Sequence, residues 1–197
     1  MSQLPTLVFA TNNAHKVFEI NAVVTIQYKV VTLGEAGISI DIPEPYETLE
    51  ENAQHKCRTI HKLVNRDCFS EDTGLEVKAL NGEPGVKSAR YAGDEKNFNA
   101  NIHLLLANLT GTKHREARFR TVICLIMNDE EFLFQGICQG TIIDNPRGTN
   151  GFGYDPVFVP DGSDKTFAEM SLAEKNEYSH RRKAVDELIT FLKLRHG

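Results

Sequence analysis

The sequence lacks the features of a secreted, membrane-bound or zinc-stabilised protein. Its four cysteines are widely spaced, with no C-x-x-C pair and no histidine at zinc-ligand spacing, so we expect reduced, mostly buried thiols. The apolar stretch at residues 4–10 follows no basic region and is too short for a signal peptide or a membrane span. These absences predict a cytoplasmic protein without a membrane partner.

The chain also lacks an excess of positive charge. It has 22 Lys and Arg against 27 Asp and Glu, a formal net charge of -5. Because nucleic-acid affinity depends on neutralising many phosphates, this balance predicts no nucleic-acid partner, although a few local cations could hold a small anion. Neither G-x-x-x-x-G-K-[ST] nor G-x-G-x-x-G occurs, so the chain has no Walker A loop and no dinucleotide fingerprint.

What the chain does contain is an alternation of strand and helix patterns, with 41% hydrophobic residues among 197. Short apolar runs predict strands at residues 7–10 and 68–70, and two longer runs at 118–127 and 131–143 predict an antiparallel hairpin. Helical spacing and capping residues predict helices after residue 13, over 48–64 and 98–109, after Ser171 and after Ser179. The pattern indicates an α/β protein with a mixed sheet.

Polar residues follow the first predicted strand. Residues 11–16 read TNNAHK and connect a strand to a helix, where backbone N–H groups and the helix dipole favour an anion. The alternative is a helix cap followed by a solvated lysine. Residues alone leave both interpretations open.

Three carboxylates, Glu44, Glu71 and Asp72, lie near Pro or Gly at predicted element boundaries. Hard oxygen ligands of this kind suit Mg²⁺. We expect Glu71 and Asp72 directly after a buried strand, and strand ends are where open α/β sheets carry their sites. The alternative for each is a surface carboxylate in a turn.

A second group of candidates lies towards the C-terminus. Residues 150–156 read NGFGYDP, and glycines beside Phe152 would let a flat ligand approach a ring that can stack on a base. Lys175 and residues 180–182 supply cations around the start of the last predicted helix, where they oppose the helix dipole and suit an anionic or carbonyl-rich ligand. The alternatives are an aromatic packed on the core and a solvated basic face.

Six motifs occur in order: TNNAHK, a glutamate before ENAQHK, SEDTGLEV, GEPGVKSARYAG, GTNGFGYDPVF and AEKNEYSHR. In this series the chain resembles the inosine triphosphate pyrophosphatase family, also called Ham1-type, over nearly all of a single domain at residues 1–197. The resemblance implies a two-lobed α/β protein with a long, mixed, twisted sheet flanked by helices, a nucleotide cleft between the lobes, and a homodimer. Asn12 replaces a glycine of many relatives, and Glu71-Asp72-Thr73 replaces the Asp-Asp-Ser of bacterial ones.

The implied reaction is hydrolysis of ITP, dITP or XTP to the monophosphate and pyrophosphate, which removes these deaminated purines from the nucleotide pool. It implies Mg²⁺ as cofactor, and Mn²⁺ shares the same oxygen preference. Two alternatives remain open. One is a Maf-like pyrophosphatase for other modified nucleotides, and the other is a nucleotide-binding protein without turnover.

The resemblance also implies a role for each matching residue. The implied metal ligands are Glu44, Glu71 and Asp72. The implied catalytic residues are Asp72 as general base, Lys16 and Lys56. The implied triphosphate contacts are Thr11, Asn12, Asn13, Ala14, His15, Lys16 and Lys56, and Thr73 is implied to contact the substrate. The implied base contacts are Phe152, Gly153, Tyr154 and Asp155, with Lys175, His180 and Arg181 reading the edge of the base.

Overall fold

A computed structural model describes residues 5–24 and 28–195 of the chain. The strands are β1 (Thr6–Phe9), β2 (Lys29–Thr32), β3 (Cys68–Val77), β4 (Pro84–Gly85), β5 (Glu116–Met127), β6 (Glu130–Ile142) and β7 (Phe158–Pro160). The helices are α1 (Ala14–Val24), α2 (Leu49–Val64), α3 (Phe98–Asn108), α4 (Leu172–Tyr178) and α5 (His180–Arg195). No helix in the described ranges is long and apolar enough to cross a membrane.

The strands form one sheet in the order β2-β1-β3-β5-β6-β7, with β4 beside β3. β1 pairs in parallel with both β2 and β3, whereas β4 and β7 pair antiparallel with β3 and β6. β5 and β6 are neighbours joined at Asn128 and Asp129, both with positive φ, as a two-residue hairpin turn requires. The predicted α/β class with a mixed sheet is therefore confirmed.

The chain divides into two compact units, each built from separate segments. Unit 1 contains the described parts of Met1–Asp72, Thr121–Gly136 and Arg181–Gly197, and unit 2 contains Thr73–Arg120 and Ile137–His180. Each unit has its own apolar core. Phe9, Ile20, Phe69 and Leu188 are among the buried core residues of unit 1. Leu75, Leu105, Phe158 and Phe167 are among those of unit 2. The assignment of residues 1–197 to a single domain stays a prediction.

Most helix boundaries were predicted from their caps. Thr48 begins α2 by accepting a hydrogen bond from the Glu51 backbone N–H at 3.2 Å, and Ser171 and Glu174 form the predicted capping box of α4. The four cysteines are free and buried, as expected. The helical spacing that predicts a helix after residue 13 includes Val24, whose side chain lies outside the described residues.

Candidate active site

The loop before α1 is built as a helix cap. The Asn13 carboxamide oxygen accepts from the backbone N–H groups of His15 at 3.0 Å and Lys16 at 3.3 Å. The Asn13 N–H in turn donates to Thr11 Oγ1 at 3.1 Å. These bonds hold the segment in one conformation at the positive end of a helix, with the Lys16 side chain directed to β3. Phosphate binding by this loop stays a prediction.

Glu71 and Asp72 lie inside β3 and not after a strand. The predicted strand ended at residue 70, but β3 continues through Thr73 and Gly74 to Val77. Both carboxylates belong to buried residues, with 1% of Glu71 and 6% of Asp72 exposed. The prediction that they follow the strand was wrong, because the strand continues through both carboxylates and Thr73-Gly74. Here they are buried beside cations, which offset the cost of removing charge from water.

Lys56 connects two carboxylates. It extends from α2, and its ammonium lies 2.5 Å from Glu44 Oε1, 2.8 Å from Asp72 Oδ1 and 2.9 Å from the Glu71 carbonyl oxygen. An ammonium has three donors, so these contacts use its full capacity. Lys16 from α1 adds a second cation, 3.4 Å from the same carbonyl and from Glu71 Oε1. The predicted catalytic residues Asp72, Lys16 and Lys56 are thus brought together in unit 1.

Arg181 is the centre of a second buried ion network. Its Nε and Nη2 atoms donate to the two carboxylate oxygens of Glu71 at 2.8 and 2.9 Å, and Nη1 donates to Glu19. Only 3% of Arg181 is exposed. A two-pronged contact of this kind holds a carboxylate in both position and orientation. Arg181 was expected to read the edge of a base, and any such contact would compete with these two ion pairs.

The two carboxylates that share Lys56 differ in acidity. Burial raises the pKa of Glu44, but the Lys56 and Lys16 ammonium groups and a hydrogen bond with Asp72 together outweigh burial and lower that pKa to about 2. For Asp72 burial, together with the negative charge of Glu44, prevails over Lys56 and Lys16 and raises the pKa to about 6. Neighbouring groups whose pKa values are pushed apart take different tasks in catalysis. Glu44 stays ionised at neutral pH, whereas Asp72 can gain or lose a proton near it.

The acidic residues suit a divalent cation, but not as the predicted trio. Within the described residues no three Asp, Glu, His or Cys side chains converge as a metal cluster, and both oxygens of Glu71 accept from Arg181. Glu44 and Asp72 remain as a pair of hard oxygen donors, and Mg²⁺ is commonly held by one or two carboxylates together with substrate phosphates. The cluster also has more carboxylates (Glu19, Glu44, Glu71, Asp72) than cations (Lys16, Lys56, Arg181).

Three of the predicted base-binding residues, Phe152, Asp155 and Lys175, meet in unit 2. The Lys175 ammonium lies 2.7 Å from Asp155 Oδ2, and both side chains are at most 5% exposed. The same Asp155 oxygen accepts the Phe152 backbone N–H at 2.9 Å, and Lys175 Nζ lies 5.4 Å from the centre of the Phe152 ring. Asp155 therefore acts as an anchor for the loop, holding Lys175 and Phe152 together.

Replacing Gly151 by alanine is expected to disrupt this loop. Gly151 has φ +74, and an added Cβ would overlap Asp155 Oδ2. Gly153 offers a matched control, because its φ is +62 but a Cβ there meets no atom within 4 Å. Gly151→Ala should thus lower the melting temperature, and raise the KM for a nucleotide substrate, more than Gly153→Ala does. Equal effects of the two substitutions would contradict the packing of Gly151 on Asp155.

Other predicted residues occupy varied surroundings. Tyr154 lies in the core of unit 2, where its hydroxyl donates to the Ser88 carbonyl at 2.9 Å. The buried His180 ring stacks on Phe119 with ring centres 4.6 Å apart. Asn12 donates to the Ile40 carbonyl at 2.8 Å. The remaining predicted contacts are the exposed residues Ala14 and His15 and the partly buried residues Gly153 and Thr73. Their substrate contacts stay predictions.

Glu19 is the acidic residue that sequence reasoning missed. Glu19 lies on α1, is 8% exposed and forms an ion pair with Arg181 of α5. A signal was available, because Glu19 follows Lys16 by three residues and so lies on the same face of the helix. No pattern in the sequence indicated that a residue more than 160 positions away would meet that face.

Comparison with known proteins decides the family. The Ham1 family profile matches residues 7–191. The chain belongs to the Ham1 family. It is 48% identical to a dITP/XTP pyrophosphatase of Flavobacterium psychrophilum, over 95% of this chain and 98% of the relative. It is 49% identical to the protein of the same name from Porphyromonas gingivalis, over 94% and 96%.

Solved structures of Ham1 proteins have the same fold. The Staphylococcus aureus Ham1 protein matches with a TM-score of 0.88 at 41% identity, over 96% of this chain and 99% of that one. A Ham1 protein from Coxiella burnetii matches with a TM-score of 0.89 at 35% identity and the same coverage. The family predicted from the six motifs is therefore confirmed.

Proposed function

We propose that this Ham1 family member hydrolyses the deaminated purine nucleoside triphosphates ITP, dITP and XTP to the monophosphate and pyrophosphate. The relatives named above are dITP/XTP pyrophosphatases and match the chain almost end to end. The observation that carries the proposal is the convergence in unit 1 of two carboxylates, Glu44 and Asp72, on the buried Lys56 ammonium, with Lys16 on the same stretch of β3.

Asp72 is the proposed general base. With a pKa near neutrality its carboxylate can accept a proton from water as that water attacks the α-phosphorus, which breaks the bond to the leaving pyrophosphate. Lys16 and Lys56 lie against the same stretch of β3 and offset the charge that develops on the leaving group. Asn13 orders the loop that would hold the triphosphate. Catalysis is then mainly electrostatic and positional.

A divalent cation, Mg²⁺ or Mn²⁺, would be held by Glu44 and Asp72, and when bound it supplies positive charge to the phosphate oxygens. In this assignment Glu71 is not a direct ligand. Its carboxylate is oriented by Arg181, and its backbone carbonyl accepts from Lys56. Glu71 would therefore place Asp72 by fixing this part of β3.

Mg²⁺ binding should depend on pH through Asp72. Because the pKa is raised to about 6, the carboxyl is protonated below that pH and the proton competes with the metal. Mg²⁺ affinity should rise about tenfold per pH unit up to about pH 6 and level off above it. Glu44, with a pKa of about 2, adds no slope in this range. Calorimetric titration at pH 5, 6, 7 and 8 measures Mg²⁺ affinity as a function of pH. In the Asp72→Asn variant this affinity should no longer rise with pH. If the Mg²⁺ affinity of the wild type did not change between pH 5 and pH 7, this prediction would be contradicted.

Base selectivity is proposed to come from residues of unit 2, namely Phe152, the backbone around Gly153 and Tyr154, and polar groups of Lys175 and His180. Donors that meet the 6-oxo group of hypoxanthine or xanthine would face a donor when the 6-amino group of adenine enters. Mismatched buried polar groups of this kind support discrimination of roughly 10⁴-fold. Guanine shares the 6-oxo group, so its rejection depends on position 2 of the ring.

A pyrophosphate-release assay over a nucleotide panel with Mg²⁺ at alkaline pH tests the function. We expect faster release from dITP and XTP than from dATP, dTTP and UTP. Preference for dTTP or UTP would favour the Maf-like alternative, and absence of release from every nucleotide would favour a binding protein.

We propose further that the protein is a cytoplasmic homodimer. The Ham1 resemblance implies the dimer, and four free, buried thiols accord with a reducing compartment. The net charge of -5 supports a small nucleotide and not a nucleic acid as partner.

A further inference from the structure

We infer that Phe98 positions the ring of Phe152 for stacking on the base, an inference that rests on the proposed function. Both residues belong to unit 2. Their ring centres lie 6.1 Å apart with the planes tilted by 48°, within the range of favourable aromatic pairs. No motif of the resemblance includes Phe98, and the ring is 37% exposed although phenylalanine usually buries its side chain.

Phe98 belongs to helix α3, which several hydrogen bonds and core contacts hold in place. It is the first residue of α3, and Asn97 caps this helix by accepting from the Ala100 backbone N–H at 3.1 Å. The buried Asn101 ties the same helix to the preceding loop, accepting from the Ala92 N–H at 2.7 Å and donating to the Ala89 carbonyl at 3.1 Å. The helix also inserts Ile102 and Leu105 into the core of unit 2. The backbone of Phe98 is thus held in place.

Phe152, in contrast, stands on a loop between two glycines of positive φ, Gly151 and Gly153. Its backbone is held by Asp155, but a backbone bond does not determine the orientation of the ring. The contacts of the ring itself include Phe98 and the Lys175 ammonium, which lies 5.4 Å from the ring centre. Phe98, which is carried by the anchored helix α3, therefore limits the orientations of the Phe152 ring. Lys175, held in its buried ion pair with Asp155, contacts the same ring.

A stacking surface binds more tightly when it is already oriented, because the ligand does not have to order it. Loss of the Phe98 ring should therefore weaken nucleotide binding without changing the chemical step. The expected signature is a higher KM for dITP at unchanged kcat. A residue that served folding alone would instead lower the melting temperature and the active fraction.

The chain has no tryptophan, so F152W provides a single fluorescent reporter at the stacking position. Titrating F152W with inosine monophosphate and following tryptophan fluorescence measures binding of the base without a contribution from the triphosphate. In F152W/F98A we expect about 3- to 10-fold weaker binding, the worth of one aromatic pair. F152W/F98Y keeps a ring and should bind like F152W, as should F152W/L194A, which removes an exposed apolar side chain elsewhere.

The inference is overturned if F98A binds inosine monophosphate as tightly as F98Y in the reporter background, or if F98A in the wild-type chain lowers kcat at unchanged KM. In either case dITP hydrolysis by the wild-type protein would leave the proposed function standing. If the wild type releases no pyrophosphate from dITP and F152W does not respond to the monophosphate, the proposed function fails and this inference fails with it.

Discussion

Replacing Asp72 by asparagine is expected to lower kcat for dITP by about 10²–10⁴-fold, the usual effect of removing a general base. Asparagine keeps the shape of the side chain but cannot take a proton from water. Its carboxamide oxygen can accept the hydrogen bond that Lys56 now donates to Asp72 at 2.8 Å, so the local packing should survive. The KM should change less than kcat, because Lys16 and Lys56 remain.

The control for this substitution is Glu47→Gln, which removes a carboxylate from an exposed position three residues after Glu44. It should leave kcat within about twofold of the wild type, since exposed charges act weakly at a distance. Steady-state kinetics with melting curves for both variants separate catalysis from folding. Near-normal turnover by Asp72→Asn would rule out its role as the base.

Arg181→Ala is expected to destabilise the protein by about 3–5 kcal/mol, the usual cost of removing one member of a buried ion network. The guanidinium is 3% exposed and forms ion pairs with both Glu71 and Glu19. Without it, two carboxylates would be left in a low-dielectric environment. They would have to take up protons or draw in water, and β3 would lose the contact that orients Glu71.

The adjacent Arg182 is a matched control. It is also arginine on α5, but its side chain is 39% exposed and its partner Asp186, one helical turn along, is 48% exposed. Arg182→Ala should cost only about 0.3–0.5 kcal/mol. Urea unfolding of both variants measures the difference. Equal losses for the two variants would mean that the Arg181 network is not the stabilising element described above.

Local features of the fold were predictable because they depend on neighbours in sequence. The cap of α2 depends on Thr48 and Glu51, and the hairpin of β5 and β6 on a short polar turn between two apolar runs. The motif series also identified the family, and it selected Lys56 and Asp72, which the structure places 2.8 Å apart.

What could not be predicted depends on partners far along the chain. The buried position of Glu71 within β3 requires a cation, and that cation is Arg181, 110 positions later. A local pattern therefore suggested a turn where the strand continues. The pairing of Glu19 with Arg181 and the contact of Phe98 with Phe152 are likewise tertiary. Such contacts override local preferences at the residues that carry charge or ligand chemistry.

Hydrolysis of dITP in ¹⁸O-labelled water tests the central claim most directly. Attack by water on the α-phosphorus forms the new bond to the monophosphate, so mass spectrometry should find the label in dIMP and unlabelled pyrophosphate beside it. Label in pyrophosphate, release of inorganic phosphate with dIDP, or no hydrolysis of dITP would contradict the account.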